Sequence, residues 1–281
     1  MQQIVHDPVR MRALVGEARA AGRRVGFVPT MGALHAGHGS LVARAARECD
    51  AVAVSIFVNP TQFGPQEDFA RYPRTLAADA ALLASHGVAW IYVPEVSDVY
   101  PPGDATRIVM RGPAVPFEGE RRPGHFDGVA TVVCKLLLAV PADVAYFGAK
   151  DWQQTLVVKR MVRDLGLSVE IVVCPTVREA DGLAMSSRNA YLSPAERLRA
   201  VALWESLRRA EQLWASGANA AAIERAMQEM MAAQGVAVDY ASLADPESLA
   251  PVADDAVRAV ALVAGRLGST RLIDNLELSV R

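Results

Sequence analysis

Pro29-Thr30-Met31-Gly32-Ala33-Leu34-His35-Ala36-Gly37-His38 places two imidazoles three residues apart around a glycine. A β-like run, Arg24-Val25-Gly26-Phe27-Val28, precedes it, and a helical pattern over residues 39–48 follows. A strand, a glycine-bearing turn and a helix N-terminus together make an anion site. The first N–H groups of the helix are unpaired, and its dipole presents partial positive charge. His35 and His38 add side-chain donors at the same place, and Gly37 lets the backbone approach a ligand closely. The chemistry these residues suit is cradling a triphosphate. An ordinary strand-to-helix turn carrying two incidental histidines is the alternative, and the downstream sequence decides between them.

Four further clusters accompany the first. They are Ile56-Phe57-Val58-Asn59-Pro60-Thr61-Gln62-Phe63-Gly64, Arg122-Pro123-Gly124-His125-Phe126-Asp127-Gly128-Val129, Phe147-Gly148-Ala149-Lys150-Asp151-Trp152-Gln153-Gln154, and Pro175-Thr176-Val177-Arg178-Glu179-Ala180-Asp181-Gly182-Leu183-Ala184-Met185-Ser186-Ser187-Arg188-Asn189. In order and spacing the five clusters resemble the pantothenate synthetase (pantoate–β-alanine ligase) family, within the nucleotidylyltransferase superfamily that carries the His-x-Gly-His signature. The resemblance is dense over residues 24–193 and rests on length and pattern beyond them. The chain departs from the family pattern at Ala36, Gly39, Ala149, Ala78 and Leu82, but keeps Asp79. These departures leave the protein ligands of a metal unassigned.

The resemblance implies a reaction and a distribution of roles. Pantoate attacks the α-phosphorus of ATP, pyrophosphate leaves, and β-alanine then attacks the acyl-adenylate. The expected catalytic residues are His38, His35 and Lys150. ATP is expected at Met31, Gly32, Ala33, Leu34, His35, Ala36, Gly37 and His38, and at Gly148, Ala149, Lys150 and Asp151. Val177, through its backbone, and Met185, Ser186, Ser187 and Arg188 complete that expected set. Gln62 and Gln154 are the expected pantoate ligands, with Asn59 and Met31 beside them and Phe63 shaping the pocket. An amide suits this task because it donates to a carboxylate and accepts from a hydroxyl without adding charge. Arg122, His125 and Asp127 receive no individual role. Mg2+ is expected to accompany ATP, and a homodimer in the cytoplasm is the family expectation. Two other readings remain open. A sibling nucleotidylyltransferase acting on a phosphate acceptor would need extra basic residues in place of the glutamines. A regulatory module that had lost catalysis would show decay at His38, Lys150 or residues 186–188, all of which are intact.

Bulk properties fit an enzyme of this kind. The 281 residues are enough for two domains, and the formal net charge of −2 offers no broad attraction to nucleic acid or anionic membranes. No apolar run approaches the roughly 20 residues that span a bilayer, and the N-terminus lacks the basic and apolar regions of a secretory signal. Cys49, Cys134 and Cys174 are spaced for neither a zinc site nor a disulfide framework.

The elements that must position these side chains alternate. Strands are predicted at residues 24–28, 51–58, 90–93, 106–110, 144–147 and 169–173. Helices are predicted at 8–21, 39–48, 76–86, 129–140 and 153–165. Apolar strands with little polar alternation predict a parallel sheet covered on both faces. The fold expected is α/β: a Rossmann-like doubly wound parallel sheet over residues 1–176, which binds nucleotide and pantoate beyond its strand C-termini. A smaller α+β C-terminal lid domain is expected over 177–281. Its capping box, Ser193-Pro194-Ala195-Glu196, predicts a long helix to about residue 216. A second helix at 219–234 and strands at 236–243, 257–264 and 276–280 follow.

Overall fold

A computed structural model describes residues 2–65, 67–253 and 256–279. The chain divides into two compact units. The first comprises residues 1–149 and 153–175, and the second comprises 150–152 and 176–281.

The first unit is built on a six-stranded sheet. Its strands are β1 (Gln3–Val5), β2 (Val25–Thr30), β3 (Ala51–Ile56), β4 (Trp90–Tyr92), β5 (Val144–Gly148) and β6 (Glu170–Cys174), in the order β1-β4-β3-β2-β5-β6. Every pairing is parallel. Successive residues of the central strands enter different cores. Phe27, Ala53, Ala145 and Phe147 face the helices Pro8–Ala20, His125–Ala139 and Trp152–Asp164. Val28, Val52, Val54, Val144 and Tyr146 face Ala36–Glu48 and Leu76–Ser85. Apolar side chains on both sides explain why these strands read as unbroken hydrophobic runs. From β2 the chain steps outward to β3 and β4, then returns to the other flank of β2 as β5. That reversal opens a crevice at the carboxyl ends of β2 and β5.

The second unit holds an antiparallel sheet of β7 (Ala237–Ala244), β8 (Arg258–Leu267) and β9 (Thr270–Ser279). Helices Ala202–Ala215 and Ala220–Ala233 bury Leu203, Leu207, Ile223, Met227 and Met231 with Ala261 and Val263 of that sheet. The fold is therefore α/β with a smaller α+β unit.

Three expectations need correction. Residues 106–110 form no strand. The Ile108 N–H donates to Thr131 Oγ1 at 3.0 Å and the Met110 N–H to Asp127 Oδ1 at 2.8 Å, so side chains of the His125–Ala139 helix satisfy this segment in place of a neighbouring strand. The long helix after Ser193 is two helices, Pro194–Arg199 and Ala202–Ala215, separated by a turn at Ala200 and Val201. The last strand begins at Thr270, earlier than the apolar pattern indicates, and Val280 lies outside the described residues. β1, at the sheet edge, was not anticipated. Among the described residues no helix is long and apolar enough to cross a membrane.

Candidate functional site

The signature segment leaves the carboxyl end of β2 and turns at once. Thr30 Oγ1 donates to the Ser55 carbonyl at 2.7 Å and accepts the Gly32 N–H at 3.2 Å, which pins the turn to β3. Gly32 and Ala33 then adopt positive φ values of 83° and 51°. Buried Asp79 holds the loop in this shape. Its two carboxylate oxygens accept the Ala33 N–H at 3.0 Å and the Leu34 N–H at 2.9 Å, and Thr75 Oγ1 donates at 3.1 Å.

The helix starts at Ala36, so Gly37 and His38 lie in its first turn rather than ahead of it. His35 is the N-cap, its Nδ1 accepting the Gly37 N–H at 3.1 Å, and His38 Nδ1 accepts the His35 N–H at 3.3 Å. A histidine cap gives no apolar periodicity, which is why the pattern dated the helix late. The ring centroids are 4.2 Å apart. Because both Nδ1 atoms accept, each neutral imidazole carries its proton on Nε2. The arrangement is a pair of N–H donors at the positive end of a helix, suited to an anion. At the departure position Gly39, a Cβ would lie 3.2 Å from His86 Nε2 and 4.0 Å from Leu82, so His86 occupies space a larger residue would need.

Beyond β3, Asn59 caps the 3-10 turn Pro60–Gln62. Its Nδ2 donates to Gln62 Oε1 at 3.0 Å and to the Gly128 carbonyl at 3.2 Å. Its Oδ1 accepts Tyr100 Oη at 2.8 Å and Thr61 Oγ1 at 3.0 Å. Gln62 Nε2 lies 3.2 Å from Met31 Sδ. Met31, Asn59 and Gln62 therefore meet in one hydrogen-bonded group, while Phe63 packs with Phe69 and Tyr72. Gln153 and Gln154 divide two roles. Gln153 is buried, donating to the Pro113 and Pro116 carbonyls at 2.8 and 2.6 Å and accepting the Glu118 N–H at 3.1 Å. Gln154 is half-buried in the first turn of the Trp152–Asp164 helix.

Lys150 and Asp151 follow β5 in a 3-10 turn, and both belong to the second unit. Lys150 Nζ is 3.4 Å from Asp151 Oδ1, its side chain one-fifth exposed. The Asn275 amide of β9 donates to the Lys150 carbonyl at 2.7 Å, and the Trp152 indole donates to the Pro246 carbonyl at 3.1 Å. The adjacent β9 residue, Asp274, is buried and accepts both guanidinium nitrogens of Arg178 at 2.6 and 3.1 Å. Arg178 also stacks 3.7 Å above Trp204. This anchors a small hairpin in which Met185 N–H donates to the Val177 carbonyl at 3.0 Å and Arg178 bridges Ala184. Ser186 then caps the 3-10 turn Ser187–Tyr191, accepting the Arg188 N–H at 3.3 Å.

Each unit thus gathers its own share of the expected residues. The first holds 31–38, 59, 62 and 154, with Gly148 and Ala149, and the second holds 150, 151, 177 and 185–188. Asp79, Tyr100, Asp274 and Asn275 were not anticipated as supports. Their partners lie far along the chain, and no local motif announces them. Among the described residues no three His, Cys, Asp or Glu cluster so as to hold a metal ion.

Comparison with known proteins extends across both units. A model of the family described as pantoate-beta-alanine ligase matches residues 3–277. A pantothenate synthetase of Acidiphilium cryptum (strain JF-5) is 55% identical over 278 residues, covering 98% of this chain and 99% of that protein. A crystal structure of pantothenate synthetase from Thermus thermophilus superposes with a TM-score of 0.93 at 49% identity, covering 98% of each chain. The crystal structure of pantoate-beta-alanine ligase from Francisella tularensis, complexed with beta-gamma ATP and beta-alanine, superposes with a TM-score of 0.83 at 35% identity, covering 98% of this chain and 97% of that one. With fold and sequence both matched from end to end, the chain belongs to the pantoate-beta-alanine ligase family.

Proposed function

We infer that this chain joins pantoate to β-alanine with ATP, giving pantothenate, AMP and pyrophosphate through a pantoyl-adenylate. Family membership through both units carries this reading. In the first step a pantoate carboxylate oxygen bonds to the α-phosphorus as the bond to the bridging oxygen breaks, releasing pyrophosphate. In the second the β-alanine amine bonds to the acyl carbon, the acyl–oxygen bond to AMP breaks, and the amine proton passes to solvent. No enzyme side chain bonds to substrate, so catalysis comes from positioning and from stabilising phosphate charge.

His35 and His38, each with its proton on Nε2, are assigned to the phosphates, with Met31–Ala36 and Gly37 lining the turn. Lys150 is assigned to phosphate as a point charge, flanked by Gly148, Ala149 and Asp151. Val177, whose carbonyl already takes the Met185 N–H, is assigned to adenine through its backbone. Ser186, Ser187 and Arg188 are assigned to the β- and γ-phosphates, with Met185 leading into them. Gln62, Gln154, Asn59 and Met31 form the pantoate pocket. Mg2+ would accompany ATP, where it would neutralise charge on the phosphates. A cytoplasmic homodimer completes the proposal.

Pyrophosphate release tests it. Wild-type protein with ATP and pantoate alone releases about one equivalent and retains the adenylate, and added β-alanine restores turnover. His38→Ala lowers the first step by a factor of roughly 10² to 10³, as when one transition-state donor is lost. An obligatory need for β-alanine in the first step contradicts the two-step reading.

A further inference from the structure

The cluster Arg122–Val129 matches the family yet received no role from sequence, and the structure sets it behind Gln62. His125 Nδ1 lies 2.8 Å from the Gln62 backbone carbonyl and His125 Nε2 lies 3.0 Å from Arg122 Nη1. A carbonyl only accepts, so the proton sits on Nδ1, and Nε2 accepts from the guanidinium. Arg122 is itself fixed by Glu67 through contacts of 2.6 and 2.7 Å, and its Nη2 reaches the Gln62 carbonyl at 3.5 Å. Glu118 stands 3.9 Å from the same guanidinium. Beneath this relay the helix backbone meets the turn directly. A Cβ on Gly128 would lie 2.4 Å from the Thr61 carbonyl oxygen and 2.9 Å from Gln62 Cα. The side chains of this chain of contacts are part-buried.

We propose that His125, locked as a neutral donor by the Arg122–Glu67 pair, is a positioning residue that fixes the Gln62 backbone and thereby aims the Gln62 amide at pantoate. This rests on the assignment of Gln62 to pantoate. The electrostatics agree with it. Burial, and then the Arg122 charge, push the His125 imidazole down to about 4, which keeps it neutral. Burial pushes Glu67 up, but Arg122 outweighs it and leaves that carboxyl below the usual range, so Glu67 stays ionised. A charged imidazole would lose the acceptor that Arg122 uses.

The test combines a mutant cycle with a geometric rescue. Pantoate KM, ATP KM and thermal unfolding are measured for Gln62→Ala, His125→Ala, the double variant, His125→Asn and His125→Gln. Asn places an N–H near the position of Nδ1, whereas Gln reproduces only the Nε2 end. His125→Ala is expected to raise the pantoate KM about tenfold, the loss of one hydrogen bond, and to leave the ATP KM within about twofold. The double variant should be no worse for pantoate than Gln62→Ala, and Asn should restore most of the loss while Gln does not. Should His125→Ala fold poorly, the Asn and Gln variants carry the same comparison. Equal losses for ATP and pantoate, independent effects in the double variant, or rescue by Gln as good as by Asn would each overturn the proposal. A pantoate KM unchanged in Gln62→Ala removes the pocket assignment itself. An effect in Gln62→Ala with none in His125→Ala leaves the pocket standing and removes only the positioning role.

Discussion

The carboxylate of Asp79 lies against the turn assigned to phosphate, where an uncompensated negative charge would oppose the ligand. Each of its oxygens instead accepts a backbone N–H, from Ala33 and from Leu34, and Thr75 adds a third donor. These bonds hold Ala33 at positive φ, a backbone shape unfavourable for a residue with a Cβ. Asp79→Asn keeps the volume but offers one acceptor where two N–H groups need one each. The loop should relax, with ATP binding weakened about tenfold or more and stability lowered by about 1–3 kcal/mol. Calorimetric titration of ATP and denaturant unfolding read the two effects, and unchanged ATP affinity would deny Asp79 this role. His35, His38, Asn59 and Gln62 were legible because their chemistry sits in contiguous motifs. Asp79 was not, since its partners are 45 and 46 residues away and an acid in a first helical turn is commonplace.

The strands of the first unit were legible because burial on both faces leaves a continuous apolar run, whereas β9 was read short. Asp274 and Asn275 interrupt its apolar pattern, and both are buried polar residues whose partners, Arg178 and the Lys150 carbonyl, are distant in sequence. The segment 106–110 differs in the opposite sense, carrying Ile108, Val109 and Met110 in succession yet bonded to helix side chains. Close packing between elements makes a sharper prediction at Gly128. In Gly128→Ala the new methyl would meet backbone atoms of Thr61 and Gln62 that cannot rotate aside. The Pro60–Gln62 turn should be displaced, with a cost of about 1–3 kcal/mol and a large rise in pantoate KM. Gly166→Ala is the control: its φ of 63° is strained for alanine, but a Cβ there meets nothing within 4 Å. It should lose stability with little change in pantoate KM, and equal pantoate losses in both variants would contradict the packing argument.

At the scale of the molecule, His125 couples stability to pH. Its folded value of about 4 lies below the roughly 6.5 of an unfolded histidine. Between these values the unfolded chain binds more protons, so this contribution is complete above about pH 6.5 and is lost as pH falls toward 4. The full span is about 3 kcal/mol. Urea unfolding of wild-type and His125→Asn protein across that range should give a steeper acid loss for wild type, and identical slopes would show that the imidazole is not held neutral.

Each unit has a hydrophobic core of its own, yet the division does not follow the chain. Residues 150–152 leave the first unit for the second and residues 153–175 return. Exchanging the C-terminal segment with that of a relative at a single junction near residue 175 would therefore transplant Asn275 and Pro246 while leaving Lys150 and Trp152 with the recipient. A chimera that keeps the second unit's residues together must import a three-residue island from the donor as well, stitched into the middle of the recipient's sheet domain.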